Sequence, residues 1–165
     1  MFKIKQFVSS EICLKCQGCC RFAEQDSIWS PNLLGEEIQE LLNNGVPPTA
    51  ISVKKKICLR PFAEEGNFIC SFFAPQSKLC KIYPYRPFEC RLYPFLINRR
   101  GQKIYLAIDQ RCPFARRNLK SKKGKDYVLY LTELFRSPEY SSILRDNPQI
   151  IQEYQEVTDI GELGV

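Results

Sequence analysis

The chain has 165 residues, with 24 Lys+Arg against 18 Asp+Glu and a formal net charge of +6. Hydrophobic residues make up 44%, which excludes a disordered chain, and the length suits one domain that buries about 70% of its unfolded surface. No apolar run approaches the roughly 20 residues of a bilayer span, so no membrane partner is expected. Nine cysteines and no histidine remove Ser-His-Asp and Cys-His catalysis and every imidazole-bearing zinc site.

The opening, MFKIKQFVSSEIC, lacks a continuous apolar segment and does not read as a signal peptide, so a cytoplasmic location is expected. CLKCQGCC follows, with Cys13, Cys16, Cys19 and Cys20. Disulfides need an oxidising compartment and an even count, and neither is indicated. Single buried thiols behave as small apolar residues, and Cys58 fits that use, but four cysteines in eight residues do not. Metal ligation accounts for both the cluster and its setting. Two-residue gaps let successive sulfurs face one centre from a short loop, where Gly18 eases the turn. Three close thiols plus a remote Cys-Pro is the bacterial ferredoxin manner of holding a four-iron cluster, and Cys112-Pro113 supplies the remote pair. If that segment is extended, Cys19 and Cys20 point to opposite sides, so the pair either straddles two sites or leaves one thiol free.

Ser30-Pro31 predicts a helix start, with Ser30 as N-cap, Leu34, Ile38, Leu41 and Leu42 as the apolar face, and Gly45 as the stop. Glu36, Glu37 and Glu40 read as its solvent side, and the helix is expected over the cysteine region. Residues 57–73 offer short strands. Cys70, Cys80 and Cys90 then recur every ten residues, too widely for a zinc knuckle. Residues 68–95 hold 8 of the 20 aromatics and four prolines, which predicts an irregular, stiffened segment forming a dry shell around thiolates.

Residues 66–125 carry 14 basic and 2 acidic groups, and residues 126–165 carry 2 basic and 8 acidic. Metal–tetrathiolate centres are anionic. Arg86, Arg91, Lys78 and Lys81 are placed in sequence to offset that charge and to lower thiol pKa values. FLINRRGQKIYLAI, 95–108, predicts a hairpin turning near Arg100-Gly101. ARRNLKSKKGK, 115–125, has six bases in eleven residues. It lacks the interleaved aromatics of single-strand binders, so nucleic acid is not the expected partner, and it can equally pair with the acidic tail. Asp126–Phe135 predicts a helix with Tyr127, Leu131, Leu134 and Phe135 on one side, ended by Pro138. From Asn147 one more short helix and a flexible GELGV end are expected.

CLKCQGCC, CSFF, CKIYPYRPFECRLYPF and CPF resemble the YkgJ-like cysteine-cluster proteins, described as zinc- or iron-chelating domains. The resemblance runs from about Cys13 to Cys112. It implies metal ligation by Cys13, Cys16, Cys19, Cys20, Cys70, Cys80, Cys90 and Cys112, with Cys58 outside the set. A longer relative of that family is the flagellin lysine N-methylase, which implies a cluster-dependent modifying enzyme as one reading. No Gly-rich nucleotide loop or recognisable acid/base pair accompanies it here.

The expected fold is a single α+β domain over 1–165: small, irregular and cysteine-rich, with a short antiparallel sheet or hairpin and two to four helices. Its metal-binding core spans about 13–114, with a helical segment at 126–160. The expected cofactor is an iron–sulfur cluster, 4Fe-4S, with a redox role and an unidentified redox or protein partner. The alternative is Zn2+ in a structural interaction module. A grouping of Cys20, Cys70, Cys80 and Cys90 is one candidate second site.

Overall fold

The structure, a computed structural model, describes residues 4–16, 18–62 and 67–164. The chain is α+β, with six α-helices among the described residues, more than the two to four expected, and three mainly antiparallel sheets. It divides into two compact units, one of residues 1–4 and 9–91, the other of residues 5–8 and 92–165.

The first unit is built from short pieces. Helix α1 (Ser10–Cys16) leads into a 3-10 turn (Gly18–Cys20) and strand β1 (Arg21–Phe22). Strands β2 (Leu59–Phe62) and β3 (Asn67–Cys70) complete a sheet of order β1-β3-β2, which meets the expectation of short strands in 57–73. Strands β4 (Phe73–Ala74) and β5 (Leu79–Cys80) form a ribbon, with Lys78 at positive φ in the turn. A 3-10 turn at Tyr83–Tyr85 and helix α3 (Phe88–Leu92) follow. The proline-dense 68–95 segment is therefore a relay of short elements, none longer than six residues.

Helix α2 (Gly35–Asn43) starts later than the sequence predicts. Ser30 is not its N-cap, because its hydroxyl donates to the Ile57 carbonyl at 2.7 Å. The chain after it runs beside 55–57, with Leu33 N donating to Lys55 O at 2.7 Å and Ile57 N to Pro31 O at 3.0 Å. That pairing uses the backbone groups an earlier helix start would need. Glu37 is buried rather than solvent-facing. One carboxylate oxygen accepts from Leu34 N at 3.0 Å, closing the helix start from within, and the other accepts from Phe88 N and from Arg91 Nη2 at 3.3 Å. Gly45, at φ +81°, ends the helix as expected. Leu41 lies in an apolar cluster with Phe22, Leu33, Ile57, Ile69, Cys70 and Phe73, and Ile38 packs against it.

The second unit is more regular. Strands β6 (Phe95–Arg100) and β7 (Lys103–Ile108) form the expected hairpin, paired from Phe95↔Ile108 to Arg100↔Lys103, with Gly101 at φ +59° in the turn. Helix α4 (Pro113–Asn118) and helix α5 (Lys122–Arg136) follow. Tyr127, Leu131 and Phe135 are the buried stripe of α5, and Leu134 is half-buried. Ser137 ends α5 and caps helix α6 (Pro138–Asp146), for which Pro138 is a start as well as the stop that the sequence suggests.

The helix and flexible end expected after Asn147 do not form. A 3-10 turn leads to strand β8 (Ile151–Gln152), parallel to β6, and strand β9 (Thr158–Leu163) pairs with β7. Leu163 and Tyr154 are buried, and the Tyr154 amide donates to Asn98 Oδ1 at 2.9 Å. The acidic tail is held by the bases of the hairpin, with Asp159 on Arg100 (3.0 Å) and Glu162 on Lys103 (2.8 Å), while Glu156 stands 3.8 Å from Arg111. Phe7 packs against Phe95, Phe114 and Tyr127 at 5.1–5.4 Å between ring centres.

Candidate metal centre

Seven of the eight candidate ligands lie in the first unit: Cys13, Cys16, Cys19, Cys20, Cys70, Cys80 and Cys90. The opening cysteines do not sit on a loop. Cys13 and Cys16 are three apart on α1, which puts both on one helix face. Cys19 and Cys20 lie in the 3-10 turn, so the extended geometry that would send them to opposite sides is absent, and their side chains are hydrogen-bonded to each other. Gly18 is not in the left-handed region. A methyl group there would stand in ordinary contact, 3.7 Å from Cys16 Sγ, so the fold does not require glycine at this position.

Strand register gathers the later cysteines. The antiparallel pair Arg21↔Ile69 places Cys20, the next residue outward, in line with Cys70. Phe73↔Cys80 folds Cys80 back along β4, with Lys81 N donating to Phe72 O at 2.9 Å. Cys20 and Cys80 both pack against the apolar cluster that contains Cys70. Cys90 enters from α3. Electrostatic contacts join the set. Cys13 is within reach of Cys19 and Cys16, and Cys20 of Cys19, Cys70 and Cys90. Cys70 is within reach of Cys80 and Cys19, and Cys90 of Cys70, Cys19 and Cys80. Cys19 is common to all of these neighbourhoods.

Burial dominates their acidity. It raises Cys13, Cys80 and Cys90, and pushes Cys70 up to about 12. Cys20 is raised first by its bond with Cys19 and then by burial. Nearby bases do not bring these thiols below their ordinary range, contrary to the sequence expectation. Without a metal they are neutral thiols, and a metal must displace their protons. Among the described residues no three or more Cys, Asp or Glu side chains are gathered tightly enough to hold one metal ion. The sulfurs are neighbours rather than a closed cage.

Of the four bases expected to offset the charge, Arg86 is the one placed to do so. Its side chain is buried, its Nη1 lies 3.8 Å from Cys13 Sγ, and its charge also reaches Cys80 and Cys90. The guanidinium lies 3.9 Å from the Tyr83 ring centre. No carboxylate among the described residues forms an ion pair with it, and its Nε is buried without a hydrogen-bond partner, as is the Tyr83 hydroxyl. Arg91 turns instead to Glu37, and Lys78 and Lys81 are exposed. A buried guanidinium needs an anion, and the groups beside this one that can become anionic are thiols. An all-sulfur donor set beside such a cation fits a thiolate metal centre.

Sequence reasoning missed Glu37 and Tyr83 as supports of this region. The S-P-x-x-x-G-E-E pattern reads as a solvent-faced helix start unless the partner amide at Phe88 is known.

Cys112 lies in the second unit, buried, as the N-cap residue of α4 ahead of Pro113. Cys58 is half-buried in the first, with its amide on Ala50 O (2.9 Å) and its carbonyl accepting from Ser71 Oγ (2.6 Å).

No curated protein and no solved structure matches the chain. One family model does, over residues 12–113: CxxCxxCC, "Putative zinc- or iron-chelating domain". That span takes in all eight candidate ligands and well over half of the sequence, so the chain belongs to the CxxCxxCC family of zinc- or iron-chelating domains.

Proposed function

We propose that this protein holds an iron–sulfur cluster of the 4Fe-4S type through ligands drawn from Cys13, Cys16, Cys19, Cys20, Cys70, Cys80, Cys90 and Cys112, and that it serves electron transfer. The observation that carries this reading is that two of the three buried donors without a partner among the described residues, Arg86 Nε and Tyr83 OH, belong to side chains stacked on each other where Arg86 Nη1 reaches Cys13. Four thiolates around zinc offer few spare acceptors. A four-iron cluster brings inorganic sulfides that accept hydrogen bonds, and donors of this kind also set its potential. Such a cluster would supply one-electron transfer at a site whose Cys70 is buried and whose Cys16 and Cys19 are exposed. Arg86 supplies the countercharge, and the aromatic residues between 68 and 95 lower the local dielectric.

A structural zinc reading is favoured by a different observation. Strands of two to four residues, as in β1 to β5, are shorter than self-supporting ones, and zinc commonly staples such units. Iron, sulfide and zinc quantitation on protein purified without oxygen separates the two. Stoichiometric iron and sulfide with a broad visible band that bleaches on dithionite is the expected result. Colourless protein with stoichiometric zinc overturns the cluster reading and leaves the zinc one.

A further inference from the structure

The six bases of 115–125 have no use in either reading of the cysteines, and the second unit shows how they are presented. Arg116 and Arg117 lie on α4, Lys120 in the turn, and Lys122, Lys123 and Lys125 in the first turn of α5. All six are exposed, and none forms an ion pair with a carboxylate among the described residues. The acidic tail is not their partner, because Asp159 and Glu162 are held by Arg100 and Lys103 at the hairpin, with Glu156 beside Arg111.

Their placement is unfavourable for the isolated chain. Three lysines stand at the positive end of a 15-residue helix whose first turn has no acidic residue. The corner that carries them is rigid. Gly124 packs so closely that a methyl group there would come within 2.3 Å of the carbonyl oxygens of Asn118 and Leu119. Ser121 caps α5 through the Gly124 amide at 3.1 Å. Lys123 lies over the Phe114 ring at 5.2 Å, which fixes its stem. The backbone thus presents the six bases from one rigid corner.

We infer that this α4–α5 corner binds the phosphate backbone of nucleic acid without regard to sequence. The patch is lysine-rich, and lysine is depleted in the cores of protein–protein interfaces. No exposed apolar side chain lies within 115–125 to enter a lipid surface. Phosphates need only an array of cations, and each one neutralised releases counterions. The nearest aromatic, Phe114, is engaged by Lys123, so base stacking is absent and base identity goes unread.

The test is fluorescence anisotropy of the full chain with a short labelled DNA duplex, run beside a polyglutamate peptide and vesicles containing phosphatidylserine. The duplex should bind, with log K falling against log salt at a slope of about −5 if all six bases engage phosphates. The fivefold variant R116Q/R117Q/K120Q/K122Q/K125Q spares Lys123 and should reduce the slope to about −1 at a melting temperature no lower than that of wild type. If that variant does not fold, R116Q/R117Q should lower the slope by about 2. Absence of duplex binding, an unchanged slope in a folded variant, or tighter capture of polyglutamate or vesicles than of the duplex overturns the inference. Metal content should match wild type throughout, so this result and the outcome for the cysteines are read independently.

Discussion

The two units solve the problem of stability differently. The second has a six-residue hairpin in continuous register, a 15-residue amphipathic helix, and a buried amide, Asn98, that ties β6 to Asp159 and Tyr154. Its backbone groups are paired over long runs and its core residues converge. The first unit has strands of two to four residues, helices of five to nine and eight cysteines, with Cys70 in its apolar cluster, Cys20 and Cys80 against it, and Cys16 and Cys19 exposed. The comparison teaches that long regular elements carry one unit, while the other is built of short elements around its cysteines, the part a bound metal is expected to stabilise most.

Metal removal should therefore have the largest effect. Structural thiolate sites in small domains contribute on the order of 10 kcal/mol. Stripping the protein with a strong chelator should abolish amide-exchange protection in β2, β3 and α2 while β6, β7 and α5 keep theirs. Equal protection in both units after chelation would break the comparison.

Cavity formation sharpens it from the other side. Leu131 is fully buried on α5, and Leu131→Ala should cost about 2–5 kcal/mol whether or not metal is bound. Ile69 is equally buried in β3, within the apolar cluster of the first unit; if stripping unfolds that cluster, Ile69→Ala should register the cost in the metal-loaded protein alone. Denaturant unfolding of both variants in both metal states reads the four values.

The same contrast explains what was legible in the sequence. The hairpin was readable because Gly101 marks a turn between two apolar runs, and α5 because Tyr127, Leu131 and Phe135 repeat at helical spacing. Both patterns are local. The opening cysteine cluster was legible by type and spacing, the set of eight came from the family resemblance, and Arg86 was one of four bases singled out together; the grouping was not legible, because it depends on strand register such as Arg21↔Ile69. Ser30 is not the N-cap because an acceptor distant in sequence, the Ile57 carbonyl, takes its hydroxyl. The acidic tail was misread as helix and flexible end because its pairing to β7 is fixed by residues some 50 positions earlier.

Glu37 tests how far the first unit depends on anything besides metal. Glu37→Ala leaves the Leu34 and Phe88 amides and the Arg91 guanidinium without their acceptor, at a cost of about 2–4 kcal/mol in the loaded protein. The effect should appear as a lower denaturant midpoint with metal content preserved. Loss below 1 kcal/mol would mean that the metal alone sets the position of α2 against α3.

The smallest expected effect is its pH dependence. Burial raises the Glu37 carboxyl above its ordinary value of 4.5, outweighing the opposing hydrogen bonds from Leu34 and Phe88 and the charge of Arg91. A carboxyl raised in the folded state holds its proton more tightly there than in the unfolded chain. Its proton-linked contribution is complete below pH 4.5 and is lost as pH climbs through the raised value. Within that window the slope reaches at most about 1.4 kcal/mol per pH unit. Glu37→Gln cannot titrate, so the stability of wild type minus that of the variant should fall as pH rises. Glu89, pushed up to about 8 by burial, held by Asn32 and raised further by the Glu37 charge, titrates in the same direction, so the difference reports Glu37 together with its coupling to Glu89. A difference curve that is flat, or that rises with pH, would show that the Arg91 contact outweighs burial at this carboxylate.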